Sequence, residues 1–146
     1  MEAKRFEYIS HTADVAFLAY GKDFNSALEN AAFALLNLML DIKRIKSLRA
    51  KKREVHIEDM ASTKEDLVWY LLQDILSKVD AEKLNAYDFQ LKEIREMHGK
   101  IKATGKLTCK DDTGDFALLS LKAVTPHDLN VNQGKAGWSI KVVADV

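Results

Sequence analysis

A nearly apolar helix, predicted over residues 23–40, constrains the fold more than any other feature of this chain. The segment DFNSALENAAFALLNLML repeats apolar side chains at helical spacing, and Asp23 stands in the position of an N-cap. Its broad apolar face consists of Phe24, Ala27, Leu28, Ala31, Leu35, Leu38 and Met39. A helix of this kind is stable only when other elements cover it, so the sequence predicts packing against a sheet or another helix.

The flanking segments supply those elements. FEYIS and VAFLAYG are predicted as two short strands, or one interrupted strand, before the helix. REVHIED is predicted as a strand after it, with Val55 and Ile57 facing inward. A second helix is predicted over residues 62–79, where Ser62 and Glu65 match a capping box. Its apolar face consists of Leu67, Val68, Leu71, Leu72, Ile75, Leu76 and Val79.

The second half of the chain is predicted to consist of strands. Residues 87–94 and 100–109 alternate in polarity around REMHG, which favours a hairpin. FALLSLKAVT is predicted as a strand ending at Pro126, PHDLNVNQGKAG as a loop, and WSIKVVADV as the last strand. The predicted fold class is α+β, a single domain over residues 1–146, with two helices packed on a mixed, largely antiparallel β-sheet.

Composition narrows the class of protein. Apolar residues make up 47% and charged residues 30% of the chain, as in globular proteins. No apolar run reaches the roughly 20 residues of a membrane span, and MEAKRFEY lacks the apolar block of a signal peptide, so a cytoplasmic location is expected. The lone Cys109 agrees with that compartment and favours a structural role. The 22 basic and 22 acidic residues cancel, so net charge gives no argument for nucleic-acid binding.

Acidic residues border two apolar strands at opposite ends of the chain. Asp14 precedes VAFLAYG, and Asp145 follows an apolar run with the α-carboxylate of Val146 beside it. If the last strand lies next to the first, these three groups form an oxygen-ligand set suited to a divalent cation such as Ca²⁺ or Mg²⁺. Alternatively, each aspartate caps a turn or is solvated at a sheet edge.

Four further polar residues are candidates for a site. Lys122 interrupts an apolar segment, either as a snorkelling edge residue or as a contact for phosphate. His11 and His127 lie in loop-like contexts near Asp14 and Asp128, which would suit a metal ligand or a general base as well as ordinary hydrogen bonding. Catalytic motifs such as G-x-S-x-G, a phosphate loop, H-E-x-x-H and C-x-x-C are absent from the sequence.

Seven of the eleven residues from Lys43 to Arg53 are basic. The run could contact phosphates, as an extended ribbon with Arg49, Lys51 and Arg53 on one side. Because no aromatic residue is interleaved with it, a solvated edge that discourages aggregation is the preferred interpretation.

Four motifs in order resemble the archease family: HTADVAFLAYG, SALENAAFALLNLM, LKAVTPHDL and the terminal GWSIKVVADV. Pro126 departs from the family pattern, where an aromatic residue such as tyrosine is expected. The resemblance implies a non-enzymatic accessory factor that promotes guanylylation and multiple turnover of an RtcB-type RNA ligase in tRNA splicing and RNA repair. RNA would then be reached indirectly, through the ligase.

The resemblance also implies a set of site residues. Asp14, Asp145 and Val146 would hold a divalent cation, usually described as calcium, with Mg²⁺ and Mn²⁺ also compatible with oxygen ligands. Lys122 matches the lysine of the K-A-V-T motif as a functional position, and His11, His127 and Asp128 stay candidates for contact with a partner or phosphate.

Two other functions compete with this one. A metal-dependent hydrolase would use the same acids with His127 as its base, and the absence of a recognised nucleophile weighs against it. A chaperone-like or RNA-binding modulator of RNA-processing enzymes would use the Lys43–Arg53 run.

Overall fold

The computed structural model describes residues 4–10 and 14–146. Their helices are α1 (Phe24–Met39), α2 (Ile42–Lys46) and α3 (Lys64–Glu82). Their strands are β1 (Phe6–Ile9), β2 (Asp14–Gly21), β3 (Lys52–Ala61), β4 (Asn85–Met97), β5 (Lys100–Lys110), β6 (Ala123–Val124), β7 (Asn130–Gly134) and β8 (Gly137–Asp145).

The strands form two sheets. The larger sheet has the order β1-β2-β8-β6, with β7 also pairing β8, and the smaller has the order β3-β5-β4. Every strand pair among the described residues is antiparallel. The predicted α+β class is confirmed, but there are two antiparallel sheets where one mixed sheet was expected, and three helices where two were expected.

Helix α1 contacts both sheets, which explains its apolar character. It packs against β2 and β8 of the larger sheet, against β4 of the smaller sheet, and against α3. Four alanines and three leucines of α1 are fully buried: Ala27, Leu28, Ala31, Ala32, Ala34, Leu35 and Leu36. Small side chains let neighbouring backbones approach, so the Ala-rich sequence suits a helix covered on more than one side.

Helix α3 presents a single buried face to the smaller sheet. All seven residues predicted for that face are buried, and the helix contacts β3 and β5 as well as β6. Thr63 caps its N-terminus by accepting a hydrogen bond from the Asp66 amide at 3.1 Å. The predicted cap at Ser62 is therefore wrong by one residue.

The predicted hairpin is confirmed and extends to a two-residue turn. Met97 pairs with Lys100, and the turn residues His98 and Gly99 have φ of 50° and 76°. Positive φ at both positions is the signature of a type I′ turn, whose twist matches that of the flanking strands.

Two predictions for residues 116–137 are wrong. Only Ala123–Val124 of FALLSLKAVT forms a strand, because Phe116, Leu121 and Val124 are buried at irregular spacing while Leu118 is 63% exposed. Much of PHDLNVNQGKAG, predicted as a loop, forms β7 and a hairpin with β8.

None of the helices in the described part of the chain is long and apolar enough to cross a membrane.

Candidate metal centre

Asp14 and Asp145 lie directly opposite each other at one end of the larger sheet. They are register partners in the β2–β8 pair, so their side chains project from the same face. Directly opposed residues of an antiparallel pair have Cβ atoms about 4.5–5.5 Å apart. The sequence-based condition for a shared site, that the last strand lies beside the strand that begins at Asp14, is met.

The K-A-V-T segment adjoins Asp145 from the other side of β8. Ala123 pairs with Asp145, and the Lys122 amide donates to the Asp145 carbonyl at 2.8 Å. The Thr125 hydroxyl donates to Asp145 Oδ1 at 3.2 Å. Thr125 thereby orients the carboxylate, and the segment brings the backbone of the exposed Lys122 to the same end of the sheet.

Helix α3 holds this segment in place. The Trp69 indole nitrogen donates to the Val124 carbonyl at 2.8 Å, and the Gln73 side-chain oxygen accepts from the Val124 amide at 2.8 Å. The carbonyl and the amide of Val124 are thus both hydrogen-bonded, to Trp69 and Gln73, which lie one turn apart on α3. The sequence analysis missed Trp69, Gln73 and Thr125, and only the K-A-V-T motif itself gave a signal for one of them.

The candidate ligands are carboxylate oxygens, the ligand type that a hard divalent cation prefers. Two carboxylates occupy opposed positions on the same face of the sheet, and carboxylate oxygens are ligands that Ca²⁺ and Mg²⁺ accept. Among the described residues, no group of three His, Cys, Asp or Glu side chains is arranged to hold a metal ion. A cation held here would need a further ligand from another group, and the α-carboxylate of the 44%-exposed Val146, next to Asp145, is of the right type.

Among the described residues, no side-chain contact brings the remaining predicted site residues to Asp14 and Asp145. His127 and Asp128 lie exposed in the turn between β6 and β7 and make no side-chain hydrogen bond within the described part of the chain. His11 lies outside the described residues.

The basic run does not form the continuous ribbon that the sequence allowed. Lys43, Arg44 and Lys46 belong to α2, whereas β3 begins only at Lys52. All seven basic residues are exposed. The preferred interpretation, a solvated surface, agrees with this division.

A second pair of acids, also missed by the sequence analysis, joins β3 to α3. Asp59 lies within hydrogen-bonding reach of Asp74, and Asp74 also accepts a hydrogen bond from Lys78 Nζ at 3.0 Å. Burial, with the hydrogen bond and charge of Asp74, raises the pKa of Asp59 to about 8. Because Asp59 Oδ2 is buried without a partner among the described residues, the two acids are expected to share a proton. The alternation of inward and outward side chains along β3 could have predicted this buried acid, because Asp59 falls on the same side of the strand as Val55 and Ile57.

Comparisons with known proteins agree with these features. Residues 6–146 match the model of the archease protein family (MTH1598/TM1083). The protein archease of Methanosarcina barkeri is 32% identical over 147 residues, covering 99% of this chain and 98% of that protein. The protein archease of Sulfolobus acidocaldarius is 29% identical over 143 residues, covering 97% and 99%.

Two solved structures share the fold. The solution structure of Methanobacterium thermoautotrophicum protein 1598 superposes with a TM-score of 0.80 at 26% identity, covering 97% of this chain and 99% of that one. The crystal structure of a Thermotoga maritima archease, described as a possible chaperone, gives a TM-score of 0.54 at 21% identity over the whole of both chains.

Proposed function

The chain belongs to the archease family, and from that premise we propose that it is a non-enzymatic accessory factor of an RtcB-type RNA ligase. In this role it promotes guanylylation and repeated turnover of the ligase during tRNA splicing and RNA repair. The observation that carries the proposal is the register pairing of Asp14 with Asp145, with Thr125 bonded to Asp145. This arrangement joins the first and last family-like motifs at one end of the sheet.

The proposed centre holds a divalent cation, Ca²⁺ in the first instance, on Asp14, Asp145 and the α-carboxylate of Val146. A cation bound by carboxylates at the surface supplies positive charge and open coordination positions for a phosphate or carboxylate of the partner. The chain's own residues set the position of these ligands: Thr125 holds one oxygen of Asp145, and α3 holds the segment that carries Thr125. We expect the exposed Lys122, in that segment, to contact an anionic group.

Two residues that a hydrolase could use, Cys109 and His127, are not set up for catalysis. Cys109, the only thiol of the chain, is buried, and burial raises its pKa to about 11, which makes it a poor nucleophile. His127 lacks a hydrogen-bonded carboxylate among the described residues, so it is not set up as an oriented base.

Ligation under conditions that demand several turnovers tests this proposal. A cognate RtcB-type ligase is assayed with GTP and broken tRNA halves, with and without this protein, and the protein is also assayed alone. The expected result is more product per ligase active site and no product without ligase. Equal product with and without the protein contradicts the proposal, and turnover by the isolated protein would favour the hydrolase.

A chaperone-like role is the second candidate, supported by the description of the Thermotoga maritima structure as a possible chaperone. A general chaperone would reduce aggregation of a heated, unrelated enzyme in proportion to its concentration. An effect confined to the ligase would separate the accessory role from this one.

A further inference from the structure

A cavity of about 710 Å³ lies at the other end of the larger sheet from Asp14 and Asp145. Its walls come from the start of β1, the junction of β2 with α1, and the turn between β7 and β8. Lys4, Arg5, Lys22 and Lys135 line it, and no acidic side chain among the described residues does so. We call this cavity, defined by those four residues, the basic pocket.

Two acids lie near these basic residues in sequence: Glu7 is paired with Lys4 of the pocket itself, and Asp23 is engaged at the start of α1. Glu7 accepts hydrogen bonds from the Tyr20 hydroxyl and from Lys4 Nζ, and these bonds lower its pKa. Asp23 caps α1 by accepting from the Ser26 amide at 2.7 Å. Lys22 and Lys135 have no ion pair within the described part of the chain, so their charges are available to a ligand.

Part of the basic pocket is held in place before any ligand arrives. The Arg5 guanidinium donates to Asn30 Oδ1 at 2.9 Å and lies 4.4 Å from the centre of the Phe33 ring. The β7–β8 turn packs directly on β2, because a Cβ on Gly137 would lie 2.5 Å from the Gly21 carbonyl oxygen. The Gly137 φ of +129° also requires a residue without a side chain.

Neutral hydrogen-bonding side chains also line the cavity, namely Ser26, Asn132 and Ser139, whereas the Asn30 side-chain amide is bonded to Arg5 and to the Tyr20 carbonyl. Charged and neutral donors around one cavity favour an anion with several acceptor oxygens. A terminal phosphate carries a charge of about −1.5 to −2 at pH 7 and three strong acceptors, so it fits this lining better than a carboxylate. The volume lies within the range of about 300–1,000 Å³ typical of small-molecule sites.

We propose that the basic pocket binds a phosphomonoester, carried either by a nucleotide or by the phosphorylated end of an RNA strand. Lys22, from the β2–α1 junction, and Lys135, from the β7–β8 turn, bind the phosphate together with Arg5, whose position is already fixed by Asn30 and Phe33. The site does not depend on the proposed role in ligase activation. The basic pocket and the acidic pair lie at opposite ends of the eight-residue β2, and a strand rises about 3.3 Å per residue.

Binding of matched probes tests the proposal. A fluorescent decaribonucleotide with a 5′-phosphate is compared with the same strand ending in a 5′-hydroxyl, and a nucleoside 5′-monophosphate is added as competitor. The 5′-phosphate probe is expected to bind at least about tenfold more tightly, as terminal recognition requires. Competition by the mononucleotide at similar concentration identifies a nucleotide site, and tight binding of the strand alone identifies an RNA end.

The variant Lys22→Glu/Lys135→Glu is expected to abolish the preference for the 5′-phosphate. The control Lys92→Glu/Lys100→Glu makes the same change in net charge at exposed positions of the smaller sheet and should keep the preference. If charge reversal impairs folding, the milder variant Lys22→Gln/Lys135→Gln is used instead, and it is expected to weaken the same preference. Equal binding of the two probes by the parent protein, or equal losses in the pocket and control variants, overturns the proposal.

The variant Asp14→Asn distinguishes a failure of this proposal from a failure of the proposed function. It should leave the 5′-phosphate preference intact even where it removes ligase stimulation.

Discussion

At the scale of single residues, Asp59 is the most unusual side chain described. It has the inward parity of β3, reaches the Asp74 carboxyl on α3, and has a pKa raised to about 8, chiefly by burial. A protonated Asp59 can donate to Asp74, while Lys78 neutralises the charge that Asp74 keeps. The pair therefore joins strand and helix only while it holds a proton.

The sign of the pH effect follows from that raised pKa. The folded state keeps a proton on Asp59 that the unfolded chain releases near its ordinary pKa of 3.8. This contribution to stability is fully present below that value and is lost as pH rises towards about 8. Asp59→Asn should flatten the decline in the free energy of unfolding between pH 5 and pH 9, measured by urea denaturation. The control Asp80→Asn, at an exposed position of α3, should keep the parental slope; an unchanged slope in Asp59→Asn contradicts the shared proton.

At the scale of elements, α3 positions the edge segment 122–125 through the two side chains that bond Val124. Gln73→Leu removes the acceptor of the Val124 amide, and an unpaired buried amide costs about 1–3 kcal/mol. The variant should unfold at lower urea concentration and bind divalent cations more weakly, because Thr125 and Asp145 lose their support. Ser77→Ala, which removes only the hydroxyl bonded to Gln73 Nε2, is the matched control. Parental stability and cation affinity in Gln73→Leu would show that α3 does not position this segment.

Helices and strands whose apolar residues recur at regular spacing could be predicted from the sequence. Helices α1 and α3 and the β4–β5 hairpin follow their apolar spacing or turn residues. The strand predicted for FALLSLKAVT was wrong because the backbone of this segment bonds to separate helices: the Leu118 amide bonds the Met39 carbonyl of α1, and Val124 bonds two side chains of α3. In the site, the acids at two strand ends could be predicted, whereas Thr125, Trp69 and Gln73 depend on tertiary pairing that no local pattern encodes.

At the scale of the whole molecule, a chain of zero net charge is electrically divided along its larger sheet. Asp14 and Asp145 lie at one end of the β2–β8 pair, and the basic pocket lies at the other. The proposed cation site and the proposed phosphate site thus lie at separate ends of the sheet. Net charge conceals this division, because the 22 basic and 22 acidic residues of the whole chain sum to zero.

The proposed use of the Val146 carboxylate gives a prediction about chain ends. A Gly-Ser-Gly-Ser extension after Val146 converts that carboxylate to an amide and should weaken calcium binding by at least about tenfold, because one charged ligand is lost. The same extension placed before Met1 is the control. Isothermal titration with Ca²⁺ gives the affinities, and equal affinities for the two extended proteins would exclude the α-carboxylate as a ligand.

The central claim is that the Asp14–Asp145 pair serves ligase activation, and multiple-turnover ligation by variants tests it most directly. Asp14→Asn and Asp145→Asn should each abolish the stimulation while the protein keeps its parental thermal unfolding temperature. Asp80→Asn should stimulate as the parent does. Full stimulation by folded Asp14→Asn and Asp145→Asn proteins would contradict the claim.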